Sequence, residues 1–262
     1  MKVLLITTCV YNETNYSDFK RLVNSLHSQS SEAVFFHAVL FQNYTQTEMI
    51  QPANNDNYCA EHFYIKDIIS LSKARNFIIE RVFDLLSDYD YISFPDDDCW
   101  YPTSFWLNFE GLVSTNDCDL FYTKFCSSPI DAVGDIEKHS AYKLVQNASS
   151  NTTIYKSQIV AELRCFNESF GVGSENNGGE DTDFAIRAML LSKYIWFSNS
   201  NLIGHRDPIA EFRYRYFKGS FGVLKNHCFS SLALMLITAR KTCVGLVFLF
   251  SNKIKVTDFF IR

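Results

Sequence analysis

The sequence predicts an α/β fold with a right-handed, mainly parallel central sheet flanked by helices, followed by a basic and apolar C-terminal helical tail. Over the first hundred residues, short apolar runs alternate with stretches whose apolar residues recur at helical spacing. That alternation is typical of βαβ units, which build parallel sheets. The chain of 262 residues has 47% hydrophobic residues with only 10 Gly and 5 Pro, so it can bury a core of ordinary size without metal or disulfide support.

The strands and helices follow one another along the chain. Residues 3–6 are a short buried strand, and the mostly continuous apolar character of residues 33–41 suits a strand that is covered on both faces. Ser17 is the expected N-cap of the helix between them, and Ser72 starts a second amphipathic helix. Residues 91–94 form the next buried strand. The remaining predicted elements are strands at residues 153–159 and 195–197 and a helix that continues through residues 184–189.

Charge is distributed unevenly along the chain. Residues 1–205 contain 26 acidic and 14 basic residues, whereas residues 206–262 contain 3 acidic and 10 basic ones. The net charges of these two parts are therefore −12 and +7. An acidic body argues against a general nucleic-acid binder, so no nucleic-acid partner is expected. The basic tail indicates an anionic surface or ligand.

The tail is apolar as well as basic. Residues 228–239 and 242–252 are uncharged, and Arg240 and Lys241 separate these two runs. Each run is shorter than the ~18 to 20 residues that cross a bilayer. Two interpretations stay open, namely helices that lie in the interface of an anionic membrane, or a buried helix pair with lysines at the surface. The apolar run at residues 3–6 is shorter than that of a signal peptide, which predicts a chain that is not exported.

An acidic cluster follows the strand at residues 91–94. Asp96, Asp97 and Asp98 are adjacent, and like charges at such spacing repel unless a cation binds them. Carboxylate oxygens suit Mg²⁺ or Mn²⁺, particularly when the ion also holds a diphosphate. The alternative is a solvated acidic turn that caps the next helix. The position at the carboxyl end of a strand, between Pro95 and Trp100, favours the metal site, because ligands of parallel sheets bind at that edge.

A second acidic segment combines glycines with a helix start. Gly178 and Gly179 precede Glu180, Asp181 and Asp183, after which apolar residues continue at helical spacing. The helix dipole alone favours acidic residues there. It does not explain the glycines, which let a loop lie close to a ligand or move over it. A carboxylate kept ionised at a helix start is a competent general base near neutral pH.

Basic and aromatic residues follow the strand at residues 195–197. His205 is isolated in the sequence, and a lone histidine is more often structural than a metal ligand. Arg206, Arg213, Arg215 and Lys218 are interleaved with tyrosines, a composition that suits a diphosphate or single-stranded nucleic acid. The acidity of the body disfavours the second of these ligands.

Taken together, four segments resemble the family 2 glycosyltransferases with the GT-A fold, in particular the bacterial enzymes that build capsule and O-antigen polysaccharides. They occur in the order of that family and cover about residues 1–206. The matching segments are Thr7 with Tyr11-Asn12-Glu13, Leu71-Ser72-Lys73-Ala74-Arg75-Asn76, Phe94-Pro95-Asp96-Asp97-Asp98-Cys99-Trp100-Tyr101-Pro102, and Gly178-Gly179-Glu180-Asp181-Thr182-Asp183-Phe184.

The resemblance implies roles for individual residues. Asp98 corresponds to the direct ligand of Mn²⁺ or Mg²⁺, Asp96 to a ribose or metal-shell contact, and His205 to a further metal ligand. Asp181 corresponds to the catalytic base of inverting members, and Glu180 helps to position the acceptor. The remaining implied contacts are donor binding by Thr7, Glu13, Gln42, Lys73, Arg75, Asp96 and Asp97, and acceptor or loop contacts by Trp100, Gly178, Gly179 and Asp183. Gln42 stands where the family often has an Asp that contacts the base.

The resemblance also implies an activity. Residues 1–206 are expected to form a GT-A catalytic domain, and residues 207–262 are expected to form an extension for acceptor or membrane association. The expected reaction is metal-dependent, inverting transfer from a nucleotide-diphosphate sugar, expected to be a UDP-sugar, to a hydroxyl of a growing surface polysaccharide or a polyprenyl-diphosphate-linked oligosaccharide. The expected location is the cytoplasm, peripheral at the inner face of the cell membrane.

Two other classes of protein fit the sequence less well. A sugar-phosphate nucleotidyltransferase should carry a Gly-rich, basic loop after the first strand, whereas residues 7–15 contain no glycine. A non-catalytic carbohydrate- or calcium-binding module does not need the segment from Gly178 to Asp181. In addition, three successive carboxylates do not reproduce the alternating ligands of an EF-hand.

Overall fold

A computed structural model describes residues 1–132, 134, 136–207 and 209–261. Its centre is one eight-stranded sheet. The strands are β1 (Lys2–Val10), β2 (Val34–Gln42), β3 (Tyr58–Tyr64), β4 (Tyr91–Ser93), β5 (Leu120–Cys126), β6 (Ile136–Lys138), β7 (Thr153–Lys156) and β8 (Ile195–Gly204). The helices are α1 (Glu13–His27), α2 (Leu71–Val82), α3 (Phe105–Thr115), α4 (Ala141–Asn147), α5 (Ser157–Leu163), α6 (Glu180–Leu191), α7 (Phe212–Arg215), α8 (Phe217–His227) and α9 (Leu232–Phe250).

The strand order in the sheet is β3-β2-β1-β4-β7-β5-β8-β6. Strands β1 to β4 are mutually parallel, β7 is antiparallel to both β4 and β5, and β8 is parallel to β5. Only β7 and the edge strand β6 therefore run against the others. The prediction of an α/β fold with a mainly parallel sheet is confirmed, and the carboxyl ends of β1, β4, β5 and β8 meet at one edge.

Two hydrophobic clusters cover the two faces of the sheet. Along β1, Leu4 and Ile6 belong to one cluster while Val3 and Leu5 belong to the other. Because successive side chains of a strand point to opposite faces, this alternation shows that β1 is buried on both sides. Burial on both sides of the sheet explains why residues 3–6 are all apolar.

Several predicted boundaries differ from the structure. Helix α1 starts at Glu13, not after Ser17, because the Asn12 side chain accepts a hydrogen bond from the Asn15 backbone N–H and caps the helix five residues earlier. The strand expected at residues 153–159 ends at Lys156, where α5 begins. Strands β3, β5 and β6 and helices α3 and α4 have no counterpart among the predicted elements.

The C-terminal tail forms α8 and one long helix, α9. Arg240 and Lys241 do not divide it, as the two separate runs had indicated, because both have good helix propensity and continue the helix. The helix is therefore long and apolar enough to cross a membrane by length and composition, and 17% of its apolar window is buried. Val223 of α8 and Leu234 of α9 belong to the same hydrophobic cluster as Leu4.

Candidate active site

The candidate site lies at the carboxyl edge of the sheet, where three segments meet. The loop after β4 contributes Asp96 and Asp98, the end of β8 leads into His205, and the first turn of α6 carries Asp181. Arg75 of α2 contacts two of these segments. The structure thus brings together residues that are more than 100 positions apart in the sequence.

Asp96, Asp98 and His205 form a cluster that can hold a metal ion. One ligand atom from each lies within 4.8 Å of the others. The His205 Nε2 is 3.1 Å from Asp98 Oδ1, and the His205 Nδ1 is 2.9 Å from the Arg206 carbonyl oxygen. With the Nδ1 proton donated to that carbonyl, the Nε2 lone pair is directed to the cluster, as in histidines that ligate metals. Two carboxylates and an imidazole suit Mn²⁺ and are compatible with Mg²⁺.

Charged neighbours shift the pKa values of this cluster. Burial raises the pKa of Asp98, but the hydrogen bond and charge of His205 and the charge of Arg206 outweigh it, so the pKa of Asp98 is lowered. Burial opposes protonation of His205, whereas its contacts with Asp98 raise the pKa of His205 above the usual value. The Arg206 Nη2 lies 3.0 Å from Asp98 Oδ2, so a cationic side chain contacts the same carboxylate.

Arg75 links the cluster to the first turn of α6. Its side chain is 3% exposed, with Nη1 2.7 Å from Asp181 Oδ1 and Nη2 3.2 Å from Asp96 Oδ1. Burial lowers the pKa of Arg75, but the charges of Asp181 and Asp96 outweigh it. A planar guanidinium that bonds two carboxylates fixes their relative orientation.

Glu180 is buried next to Asp181. Its exposed fraction is 6%, and its Oε2 has no hydrogen-bond partner among the described residues. Burial, reinforced by the charge of Asp181, raises the pKa of Glu180 to about 8. Glu180 therefore carries a proton near neutral pH.

Asp97 lies outside the cluster of Asp96, Asp98 and His205. It contacts the buried thiol of Cys9, which stabilises the carboxylate, yet burial and the two neighbouring charges raise the pKa of Asp97 to about 7. The alternation of side chains along the loop after β4 thus leaves two of the three carboxylates in the cluster.

Three predicted site residues lie beneath the site instead of at its surface. Thr7 is fully buried, where its Oγ1 donates to the Pro95 carbonyl at 2.8 Å. Gln42 is buried and its Oε1 accepts from the Ile69 N–H at 2.9 Å. Asp183 is buried as well, held between Arg187 and His227 at 2.9 Å each. In contrast, Glu13 and Lys73 are exposed on α1 and α2.

The two glycines before α6 pack on the tail. Gly178 and Gly179 both have positive φ, +95° and +91°. A side chain at Gly178 would lie 3.0 Å from the Tyr216 ring, and one at Gly179 would lie 2.8 Å from the Gly219 carbonyl group. Close contact with Tyr216 and α8 gives both glycines a structural role, and approach of this loop to a ligand stays a prediction.

Trp100 connects the acidic loop to the end of β8. Its backbone N–H and carbonyl pair with those of Gly204 at 2.9 and 2.8 Å, and a side chain at Gly204 would collide with the indole ring. The guanidinium of Arg21 lies 4.4 Å from the ring centre on Trp100. Trp100 thereby holds Asp98 and His205 in fixed relative positions.

Two contacts at the site were not anticipated from the sequence. Ser150 Oγ donates to Asp96 Oδ1 at 3.1 Å, although residues 147–153 carry no signal beyond a polar composition. His37 is fully buried in β2, and its Nε2 lies 2.8 Å from Thr7 Oγ1. A histidine inside an apolar strand is the one sequence feature that marks this second contact.

Comparisons with known proteins show the fold. No family model and no curated protein matches the chain. Solved structures of S. aureus TarS 1–349 match it, with UDP-GlcNAc bound (TM-score 0.68, 14% identity, 99% of this chain and 78% of that one) and with UDP bound (TM-score 0.67, 16% identity, 98% and 77%). The chain spans 66% of a third TarS 1–349 structure and 40% of a longer TarS chain. At these identities the likeness shows the fold, so the expected GT-A type of α/β fold is confirmed.

Proposed function

We propose that this protein is a glycosyltransferase that moves a sugar from a nucleotide-diphosphate donor, specifically a UDP-sugar, to an acceptor hydroxyl. The observation that carries the proposal is the junction of the Asp96–Asp98–His205 cluster with Asp181 through Arg75. The likeness to TarS structures that hold UDP and UDP-GlcNAc supports a nucleotide-sugar donor.

Asp98, Asp96 and His205 are the proposed ligands of Mn²⁺ or Mg²⁺. When bound, such an ion neutralises the charge of the leaving diphosphate. Glu13, Lys73 and Arg75 are proposed donor contacts. Buried Thr7 and Gln42 and half-buried Asp97 would act on the donor by supporting the loops around it.

Asp181 is the proposed general base. The acceptor oxygen forms a bond to the anomeric carbon while the bond from that carbon to the diphosphate oxygen breaks, and the acceptor proton passes to Asp181. Attack from the face opposite the leaving group inverts the anomeric configuration. Glu180, whose raised pKa keeps it protonated, is proposed to donate a hydrogen bond near the acceptor. Trp100, Gly178, Gly179 and Asp183 shape that side of the site.

The proposed acceptor is a growing surface polysaccharide of the capsule or O-antigen type, or a polyprenyl-diphosphate-linked oligosaccharide. The net charge of +7 in residues 206–262 supports an anionic partner on that side of the protein. We further propose residues 1–206 as the catalytic domain, acting in the cytoplasm at the inner face of the membrane, with residues 207–262 as its acceptor- or membrane-associated extension.

The test is release of nucleoside diphosphate from a panel of nucleotide sugars, with and without Mn²⁺. Asp181→Asn should lower turnover by about 100-fold or more, because it removes a general base while it leaves the donor site intact. Asp84→Asn, at an exposed aspartate, is the matched control and should remain fully active. If Asp181→Asn retains most of the turnover, the assignment of the base is wrong. Formation of nucleoside triphosphate and sugar 1-phosphate when pyrophosphate is added to the nucleotide sugar, in place of nucleoside-diphosphate release, would indicate a nucleotidyltransferase.

A further inference from the structure

One face of α9 is apolar and exposed along its whole length. Exposed residues recur every three to four positions from Leu232 to Phe250, and Arg240 is the single charged residue among them. We call this face the α9 stripe. Its members are Leu232, Ala233, Met235, Leu236, Ala239, Arg240, Cys243, Leu246, Val247 and Phe250. A surface helix of a water-soluble protein ordinarily turns its polar face outward, so this arrangement indicates a surface that another apolar phase covers.

The opposite face of α9 is fastened to the body. Leu234 and Ile237 are buried in the main hydrophobic cluster, and the Thr238 Oγ1 donates to the Leu224 carbonyl at 3.0 Å. Further along, Gly245 leaves room for the Phe217 ring, since a side chain there would collide with it. These contacts run from the first to the last turns of a helix about 28 Å long. These contacts favour a helix that lies along the surface of the protein over one that crosses a membrane.

The segment that carries the stripe is basic. Between residues 225 and 261 the structure has one acidic residue, Asp258. Its exposed basic residues are Lys225, Arg240, Lys253 and Lys255, whereas Lys241 is half-buried with its ammonium over the Phe217 ring. Long basic side chains extend their charged ends to the phosphates of a lipid headgroup layer while their methylenes cover apolar surface. The exposed basic residues of this segment complement an anionic bilayer.

The position of Arg240 disfavours a second copy of the chain as the occupant. In a two-fold symmetric interface each residue meets its own copy when it lies on the axis. Arg240 is one residue from the midpoint of α9, so antiparallel pairing along the stripe would bring the two guanidinium groups together. Parallel pairing in register would do the same. Two like charges buried without partners are strongly unfavourable.

We propose that the α9 stripe docks the protein on an anionic lipid bilayer, with the helix parallel to the membrane plane. The apolar residues would enter the region beneath the headgroups, and Arg240 would reach the phosphates. Helix α8 connects this surface to the candidate site, because it packs on α9 at Phe217 and receives Gly179 at Gly219. The inference rests on the proposed function only in that a lipid-linked acceptor would lie in the same bilayer.

The test is co-sedimentation of the full chain with vesicles of phosphatidylglycerol mixed with phosphatidylcholine, and with vesicles of phosphatidylcholine alone. We expect binding to the anionic vesicles that weakens with added salt. The double variant Leu236→Glu with Val247→Glu changes two side chains that are each 61% exposed and should lower binding at least about tenfold. Ile68→Glu, at a residue that is 62% exposed on the body, is the matched control and should bind as the wild type does.

Thermal unfolding and donor binding, measured without lipid, check that the double variant is folded. Equal vesicle binding by the double variant and the wild type overturns the proposal, as does wild-type binding that does not depend on phosphatidylglycerol. A wild-type dimer that the double variant converts to monomers, without vesicle binding by either, would assign the stripe to a second copy. Retention of the wild type in carbonate-washed membranes would assign it to a spanning helix. None of these readouts depends on sugar transfer, so failure here leaves the proposed activity separately testable.

Discussion

The guanidinium of Arg75 lies 2.7 Å from the carboxylate of Asp181, and its other terminal nitrogen lies 3.2 Å from Asp96. A single buried side chain therefore sets the spacing between the proposed base and the proposed metal cluster. A flexible lysine cannot bond both carboxylates in one plane, so the charge alone does not replace the arginine.

We expect Arg75→Lys to lower turnover by about 100-fold, because positioning errors of this size are costly in catalysis. Arg75→Met should in addition reduce the free energy of unfolding by about 2 kcal/mol; the value is modest for a broken ion pair because both carboxylates are partly exposed. Urea unfolding and nucleoside-diphosphate release are the measurements. Arg81→Met, on the same helix but exposed, is the control. Full activity of Arg75→Lys would show that the bridge does not position the two groups.

Sequence patterns predicted the parts of the fold and the site that depend on local order. The apolar run at residues 3–6 identifies β1, because a strand that is buried on both faces is apolar at every position. The helical spacing after Ser72 identifies α2, because a helix that is buried on one face has apolar residues every three to four positions. The acidic residues after residues 91–94 lie at the expected sheet edge, because the carboxyl ends of parallel strands meet there.

The remainder depends on contacts between distant segments. Asp183 shares the acidic character of Asp181 but is buried against His227, which is 44 positions away. Gly179 is required by the backbone of Gly219 on α8, which local sequence does not reveal. Similarly, the charges of Arg240 and Lys241 do not reveal whether the two apolar runs form two helices or one; both residues have good helix propensity, and α9 continues through them.

Glu180 should make stability depend on pH. Its pKa is raised to about 8 by burial and by Asp181, whereas in the unfolded chain it has its ordinary, lower value. The folded state therefore binds the proton more tightly, and the stabilisation is complete below the unfolded pKa and is lost as the pH rises through about 8. Arg75 and Asp96 also face this carboxyl group, where the charge of Arg75 lowers the pKa of Glu180 and that of Asp96 raises it.

We expect Glu180→Gln to flatten this dependence. From about pH 5 to about pH 9, the wild-type free energy of unfolding should fall more steeply than that of the variant, since a neutral amide has no proton to lose. Urea unfolding at a series of pH values measures the difference. Glu175→Gln, at an exposed glutamate in the preceding loop, is the control. Parallel pH profiles for wild type and Glu180→Gln would show that Glu180 is ionised in the folded protein.

Thr7 should act through the loop after β4 and not through the donor itself. Its hydroxyl is buried between the Pro95 carbonyl and His37, so Thr7→Val leaves two buried polar groups without a partner. The expected cost is about 1 to 3 kcal/mol in the free energy of unfolding. Because Pro95 precedes Asp96, we also expect weaker Mn²⁺ binding with little change in nucleotide affinity measured without metal. Thr8→Val, at a half-buried neighbour, is the control. A selective loss of nucleotide affinity would instead indicate direct contact with the donor.

Metal binding should depend on His205 as well as on the aspartates. Mn²⁺ together with UDP should raise the midpoint of thermal unfolding of the wild type, since a ligand that binds only the folded state stabilises it. His205→Ala and Asp98→Asn should each abolish most of that shift, whereas His27→Ala, at an exposed histidine of α1, should preserve it. Removal of Mn²⁺ with a chelator should return the wild-type midpoint to that of the UDP-only sample. Of these two variants, Asp98→Asn also removes the carboxylate that Arg206 contacts, whereas His205→Ala leaves that ion pair in place. A full Mn²⁺ shift in His205→Ala would therefore remove the histidine from the ligand set and leave the two carboxylates as its protein ligands.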